Sequence, residues 1–150
     1  MDGNQILLVE DDDFKRRKIE FLLKVELECV GIITTGSVVG AIQAIDRGGI
    51  QVMLLDLAIP SFDDGDDGTQ GLGGLTVFRY LHEMSPTTQV LVITQFETLK
   101  EGSRILDIPT IRMMLQEEFP EQFVGLVQYT ATGDNWKDSI RQLVEERRRK

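Results

Sequence analysis

Apolar residues along this chain fall into short runs separated by charged, periodic stretches, and the alternation continues from one end to the other. The run Ile6-Leu7-Leu8-Val9 stops abruptly at Glu10-Asp11-Asp12-Asp13, the pattern of a buried parallel strand that empties into a loop. It predicts a first strand over residues 5–10. Phe14, Ile19, Leu22, Leu23 and Leu27 then recur at helical spacing with Lys15, Arg16, Arg17, Lys18 and Glu20 between them. That spacing predicts an amphipathic helix, with Asp12 or Asp13 as its cap. Residues 29–34 (CVGIIT) read as a second strand, 37–46 as a short helix closed by Gly48-Gly49, and 51–57 (QVMLLDL) as a third strand. Residues 72–84 suit a helix ending before Pro86, and 88–94 (TQVLVIT) a fourth strand. Residues 97–117 suit one helix, or two interrupted near Pro109. A fifth strand over 123–129 and a final helix over 135–149 complete the pattern.

Five apolar strands alternating with helices predict a doubly wound α/β fold. Each right-handed crossover lays a helix on one face or the other of a five-stranded parallel sheet. In such sheets function gathers at the carboxyl ends of the strands, near a topological switch. Those ends carry Glu10-Asp11 after the first strand, Asp56 after the third and Thr94 on the fourth. If the first and third strands are neighbours, as in the 2-1-3-4-5 order, three carboxylates converge in one crevice. Three like charges are costly together, so the crevice either keeps a proton or takes a divalent cation. An oxygen-only donor set suits Mg²⁺, and a carboxylate beside Mg²⁺ can attack phosphorus to give an aspartyl phosphate.

Composition narrows the picture. At 150 residues and 41% hydrophobic content the chain has the core for one domain, so residues 1–150 are expected to form a single unit. A net charge of −9, from 25 acidic and 16 basic residues, disfavours nucleic-acid binding through a basic face. It fits a cluster that takes a cation or a basic partner. The lone Cys29 excludes an internal disulfide, and no charged-then-apolar leader precedes NQILLVEDDD. No apolar run approaches membrane-spanning length. A soluble, cytoplasmic protein with no membrane partner is expected.

The stretches ILLVEDDD, VMLLDLAIP and TTQVLVIT, in that order and spacing, resemble the receiver domains of bacterial two-component response regulators. The resemblance covers residues 4 to about 94, the first two-thirds of the chain. It implies that Asp56 is the phosphoryl acceptor and that Glu10, Asp11 and Asp56 hold Mg²⁺ together with the Ala58 backbone carbonyl. It also implies that Thr94 donates its hydroxyl to the phosphoryl group. A histidine kinase, phosphotransfer protein or small phosphodonor would supply that group. A downstream protein partner would read the product, and the face after the fourth and fifth strands, where receivers commonly pair, would suit a homodimer. Such a domain is not an enzyme beyond self-phosphorylation and autodephosphorylation. No output domain follows the last helix, which suits a stand-alone receiver or a receiver excised from a longer protein.

The departure comes on the fifth strand. Receivers carry Lys followed by Pro there, and this chain reads GLVQYTATGDNW, with Gln128, Tyr129 or Thr130 in that place. A charge-assisted hydrogen bond is worth about 1.5–3 kcal/mol, so its loss is expected to weaken the phosphorylated state or its switching by roughly ten- to a hundredfold. Lys137 is the nearest later cation, and solvent exposure on the last helix is its expected fate. Two other function classes compete. One is a pseudo-receiver, an interaction module that works without phosphorylation. The other is a metal-dependent phosphohydrolase, which resembles haloacid-dehalogenase-like enzymes in its strand-end Asp but lacks their second acid two residues on, where this chain has Ala58.

Remaining features have structural readings. The loop Asp63-Asp64-Gly65-Asp66-Asp67-Gly68 invites a calcium reading, but from Asp63 the third position is Gly65 and the twelfth Gly74, so the EF-hand register fails. Residues 61–74 are expected to be a solvated acidic insertion, placed beside Asp56 where a lid or docking element would lie. His82 reads as a structural or surface residue. Cys29 reads as a small buried strand residue, and Trp136 and Tyr129 as residues packed near the top of the fifth strand. ERRRK (146–150) reads as a helix end with cations favourable to its dipole.

Overall fold

The computed structural model describes residues 5–60 and 72–149. The chain runs through β1 (Gln5–Val9) into α1 (Asp13–Phe21), which passes without a break into a π-helical turn (Leu22–Glu26). Next come β2 (Ile32–Thr35), α2 (Val38–Arg47), β3 (Ile50–Leu55), α3 (Gly73–Met84) and β4 (Gln89–Thr94). A hairpin of β5 (Thr98–Glu101) and β6 (Arg104–Asp107) follows, and α4 (Ile108–Glu118), β7 (Phe123–Gln128) and α5 (Asn135–Arg148) end the chain.

The main sheet has the order β2-β1-β3-β4-β7, and every pairing in it is parallel. This is the predicted 2-1-3-4-5 topology, with β7 as the fifth strand. Alternation along each strand divides the core in two. Leu7, Val9, Met53, Leu55, Val90 and Val92 face α2, α3 and α4, while Ile6, Leu8, Val52, Leu54, Leu91 and Ile93 face α1 and α5. Burial on both faces explains why the strands read as continuous apolar runs.

Three expectations are corrected. Residues 98–107 form an antiparallel hairpin where a helix was predicted, with Leu99 opposite Leu106 and both side chains buried. Gly102, at φ 63°, opens the two-residue turn Gly102-Ser103, a conformation suited to glycine in tight hairpins. Asp107 then caps α4 by accepting from the Thr110 N–H at 2.9 Å, with Pro109 in the first turn, where a missing N–H costs nothing. The second strand covers 32–35 and not 29–34, which leaves Cys29 half-buried ahead of it. Of the predicted insertion, 61–71 lie outside the described residues, and Gly73 and Gly74 belong to α3.

Gly74 fixes how α3 meets the end of β3. A Cβ there would stand 2.5 Å from the Asp56 carbonyl oxygen and 2.6 Å from Leu57 Cα, and the Gly74 N–H donates to the Leu57 carbonyl at 2.8 Å. Because the obstacle is backbone, no side chain can yield. Gly74→Ala is expected to lower stability by about 1–3 kcal/mol in urea unfolding; an unchanged midpoint would show that this packing is dispensable.

A candidate phosphoacceptor crevice

Two ladder bonds beyond the strand ends set the crevice floor. The Glu10 N–H donates to the Thr35 carbonyl at 2.8 Å, and the Asp56 N–H donates to the Val9 carbonyl at 3.0 Å. Each strand is thereby extended one residue past its apolar run, which draws Glu10 and Asp56 side by side. Carboxylate oxygens of Glu10, Asp11 and Asp56 all lie within 4.8 Å of one another. Glu10 and Asp56 are buried, and Asp11 is exposed at the mouth. The Ala58 N–H holds Asp56 Oδ1 at 3.0 Å, so the loop after β3 orients the carboxylate. Thr94 is buried at the end of β4, and its Oγ1 accepts from the Phe96 N–H at 3.2 Å. That bond leaves the hydroxyl proton free to be donated.

The residue missed by sequence reasoning is Lys15. It occupies the first turn of α1, where its N–H donates to the capping Asp12 Oδ2 at 2.8 Å, and its side chain runs inward to 0% exposure. The Nζ lies 2.7 Å from Glu10 Oε1 and 3.4 Å from Asp56 Oδ2, and it donates to the Ile93 carbonyl at 2.8 Å. Three acceptors meet the three protons of the ammonium. The ring of Tyr129 lies 5.8 Å away, within cation–π range. So the crevice holds a buried ammonium, delivered by α1 and not by the fifth strand.

The sequence signal for Lys15 was its register. Ile19, Leu22 and Leu23 are fully buried, and Lys15 precedes Ile19 by one turn on that same stripe, whereas Phe14 is 57% exposed. The apolar face of α1 therefore begins at Lys15, and the reading that began it at Phe14 is corrected. Lys137 lies at the surface, with Nζ 3.6 Å from Asp134 Oδ1 and 5.6 Å from the Trp136 ring centroid. Of the fifth-strand candidates, Gln128 and Thr130 are exposed and Tyr129 is buried against Trp136 at 5.1 Å between ring centroids. His82 Nδ1 pairs with Gln122 Oε1 at 2.9 Å, a structural contact.

Charge in the crevice follows from burial. Desolvation, and then the neighbouring Asp56, push Glu10 up to about 9, with the Lys15 ammonium pulling the other way. Asp11 is also raised, by burial first and by Asp56 second. Burial and the neighbouring Asp56 thus oppose ionisation of the Glu10 carboxyl, and the Lys15 contact supports it.

The sequence profile of the response regulator receiver domain matches residues 6–127. The chain belongs to the response regulator receiver family. Members of this family are signal-transduction modules of two-component systems. The chain is 25% identical over 148 residues to the Detocs response regulatory protein DtcB of Enterobacter cloacae, covering 94% of this chain and 99% of that protein. It is 23% identical over 144 residues to the nitrate/nitrite response regulator NarP of Escherichia coli, covering 95% of this chain and 62% of that protein. A CheY-like receiver domain structure from Methanospirillum hungatei superposes with a TM-score of 0.66 at 12% identity, covering 97% of both chains. That likeness establishes the fold. Among the described residues no helix is long and apolar enough to cross a membrane.

Proposed function

We propose that this receiver accepts a phosphoryl group on Asp56, with Lys15 supplying the cation that the family carries on its fifth strand. The observation that carries this reading is the buried Lys15 ammonium 3.4 Å from Asp56 Oδ2. A buried ammonium on a strand-end aspartate compensates the acceptor before transfer and stands where the phosphoryl oxygens gather charge after it.

The donor set fits Mg²⁺: carboxylate oxygens of Glu10, Asp11 and Asp56 cluster within 4.8 Å, and hard oxygen ligands suit that ion. Glu10, Asp11, Asp56 and the Ala58 carbonyl would hold it. When bound, Mg²⁺ supplies positive charge against the carboxylates and the incoming phosphoryl oxygens. The Ala58 N–H holds the Asp56 carboxylate in place for attack, and Thr94 donates its hydroxyl to a phosphoryl oxygen. In the transfer, a phosphohistidine P–N bond breaks and a P–O bond to Asp56 forms. The leaving imidazole keeps the electron pair of the broken bond.

A histidine kinase or phosphotransfer protein is the proposed donor. Phe14, Arg17, Lys18, Phe21 and Val25 form an exposed aromatic and basic stripe along α1 and the π-helical turn, beside the crevice of a chain whose net charge is −9. That stripe offers an acidic, partly apolar donor a complementary face. A downstream protein would read the phosphorylated form.

Intact mass after incubation with Mg²⁺ and acetyl phosphate tests this reading. One phosphoryl increment is expected on the wild-type chain, and none on Asp56→Ala or in excess chelator. No increment, where a working receiver is modified under the same conditions, would leave an interaction module whose crevice is neutralised by Lys15 alone.

A further inference from the structure

Lys15 does more than stand beside the acceptor, because its shortest contact is with a different carboxylate. Its Nζ lies 2.7 Å from Glu10 Oε1 but 3.4 Å from Asp56 Oδ2. The second Glu10 oxygen, Oε2, accepts from the Asp12 N–H at 3.2 Å. Glu10 is 1% exposed, and both of its oxygens are engaged. We propose that Lys15 and a divalent cation are alternative partners of Glu10, and that cation uptake moves the ammonium from Glu10 onto Asp56. This rests on the reading of the acid cluster as a metal site.

Two features favour that direction. Both Glu10 oxygens are taken, by Lys15 and by the Asp12 N–H, so a divalent ion that binds Glu10 displaces the partner it repels, the ammonium, while Asp56 can hold the ion on one oxygen and Lys15 on the other. Lys15 also has little freedom to leave, since its backbone is fixed by the Asp12 cap and its side chain has no exposure. Its other polar contacts are the Ile93 carbonyl and Asp56 Oδ2, and only Asp56 carries charge. Cation uptake and arming of the acceptor are then one event, and the metal-free receiver is held in a resting state by its own lysine. The contact with Glu10 is made by a residue of the first helix, so the coupling belongs to this chain's α1.

Calorimetric titration of Mg²⁺ onto the full chain tests the proposal, comparing wild type with Lys15→Gln and with Lys137→Ala as a surface-charge control. Lys15→Gln is expected to bind Mg²⁺ at least about tenfold more tightly than wild type, and Lys137→Ala the same as wild type. A second readout follows the Lys15 side-chain NMR resonances of the wild-type chain, which are expected to shift along the same Mg²⁺ binding curve. If Lys15→Gln fails to fold, that resonance decides. Equal affinity in wild type and Lys15→Gln, or a Lys15 signal that stays still while Mg²⁺ binds, overturns the competition and leaves the metal site standing. No Mg²⁺ binding to either chain overturns both.

Discussion

Lys15→Met is expected to cost the metal-free protein about 3 kcal/mol of unfolding free energy, because it leaves buried Asp56 and Glu10 facing each other without a cation. The methionine keeps most of the lysine stem's volume, so a cavity contributes little, and the loss reports the charge. Two carboxylates at 2% and 1% exposure can be relieved in part by the proton on Glu10, but nothing replaces the partner of Asp56. Added Mg²⁺ is expected to restore much of the loss, since it stabilises the folded state that binds it. Lys137→Met changes a partly exposed pair with Asp134 and a surface contact with the Trp136 ring and is expected to stay within about 0.5 kcal/mol. Urea unfolding at neutral pH with chelator, then with Mg²⁺, checks both. A Lys15→Met chain as stable as wild type in chelator would mean that the ammonium is not the crevice's counter-charge.

Glu10→Gln separates the proton from the metal. The folded-state value for Glu10, about 9, lies above its ordinary 4.5, so between these pH values the folded chain binds a proton that the unfolded chain has lost. Its stabilising contribution is therefore complete below about 4.5 and disappears as pH rises towards 9. One proton of this kind tilts stability by up to about 1.4 kcal/mol per pH unit. Glutamine has nothing to titrate, so in chelator the Glu10→Gln chain is expected to show a flatter stability profile across that window and to be the more stable of the two at pH 8. The same substitution is expected to weaken Mg²⁺ binding by more than about tenfold. Unfolding midpoints at a series of pH values, with a calorimetric titration beside them, measure both effects. Parallel profiles for the two chains would contradict the assignment of the retained proton to Glu10.

The sheet and the acid cluster were legible because each rests on a strong local pattern. Buried parallel strands leave uninterrupted apolar runs, as in Val52-Met53-Leu54-Leu55, and a polar residue that ends such a run points to the carboxyl edge where Glu10 and Asp56 meet. The hairpin at 98–107 was harder to read, since its only buried side chains are Leu99 and Leu106. Seven residues apart, they fit a helical stripe as well as a cross-strand pair, and only the turn signal Gly102-Ser103 separates the two. Lys15 was overlooked for a different reason. A lysine at the first turn of a helix reads as surface, and only the phase of Ile19, Leu22 and Leu23 places it inward. Whether an inward lysine is tolerable depends on Glu10, Asp56 and the Ile93 carbonyl, groups brought to it from three different strands. Sequence spacing along α1 carries no information about them.

The most direct measurement of the central claim is a crystal structure of the full chain with Mg²⁺ and beryllofluoride, a phosphoryl mimic that attaches to an aspartate. The expected arrangement has the mimic on Asp56, with Lys15 Nζ and Thr94 Oγ1 each within about 3 Å of a fluorine and Lys15 no longer on Glu10. A mimic on Asp56 with Lys15 still bonded to Glu10, or with another cation such as Lys137 in its place, would contradict it.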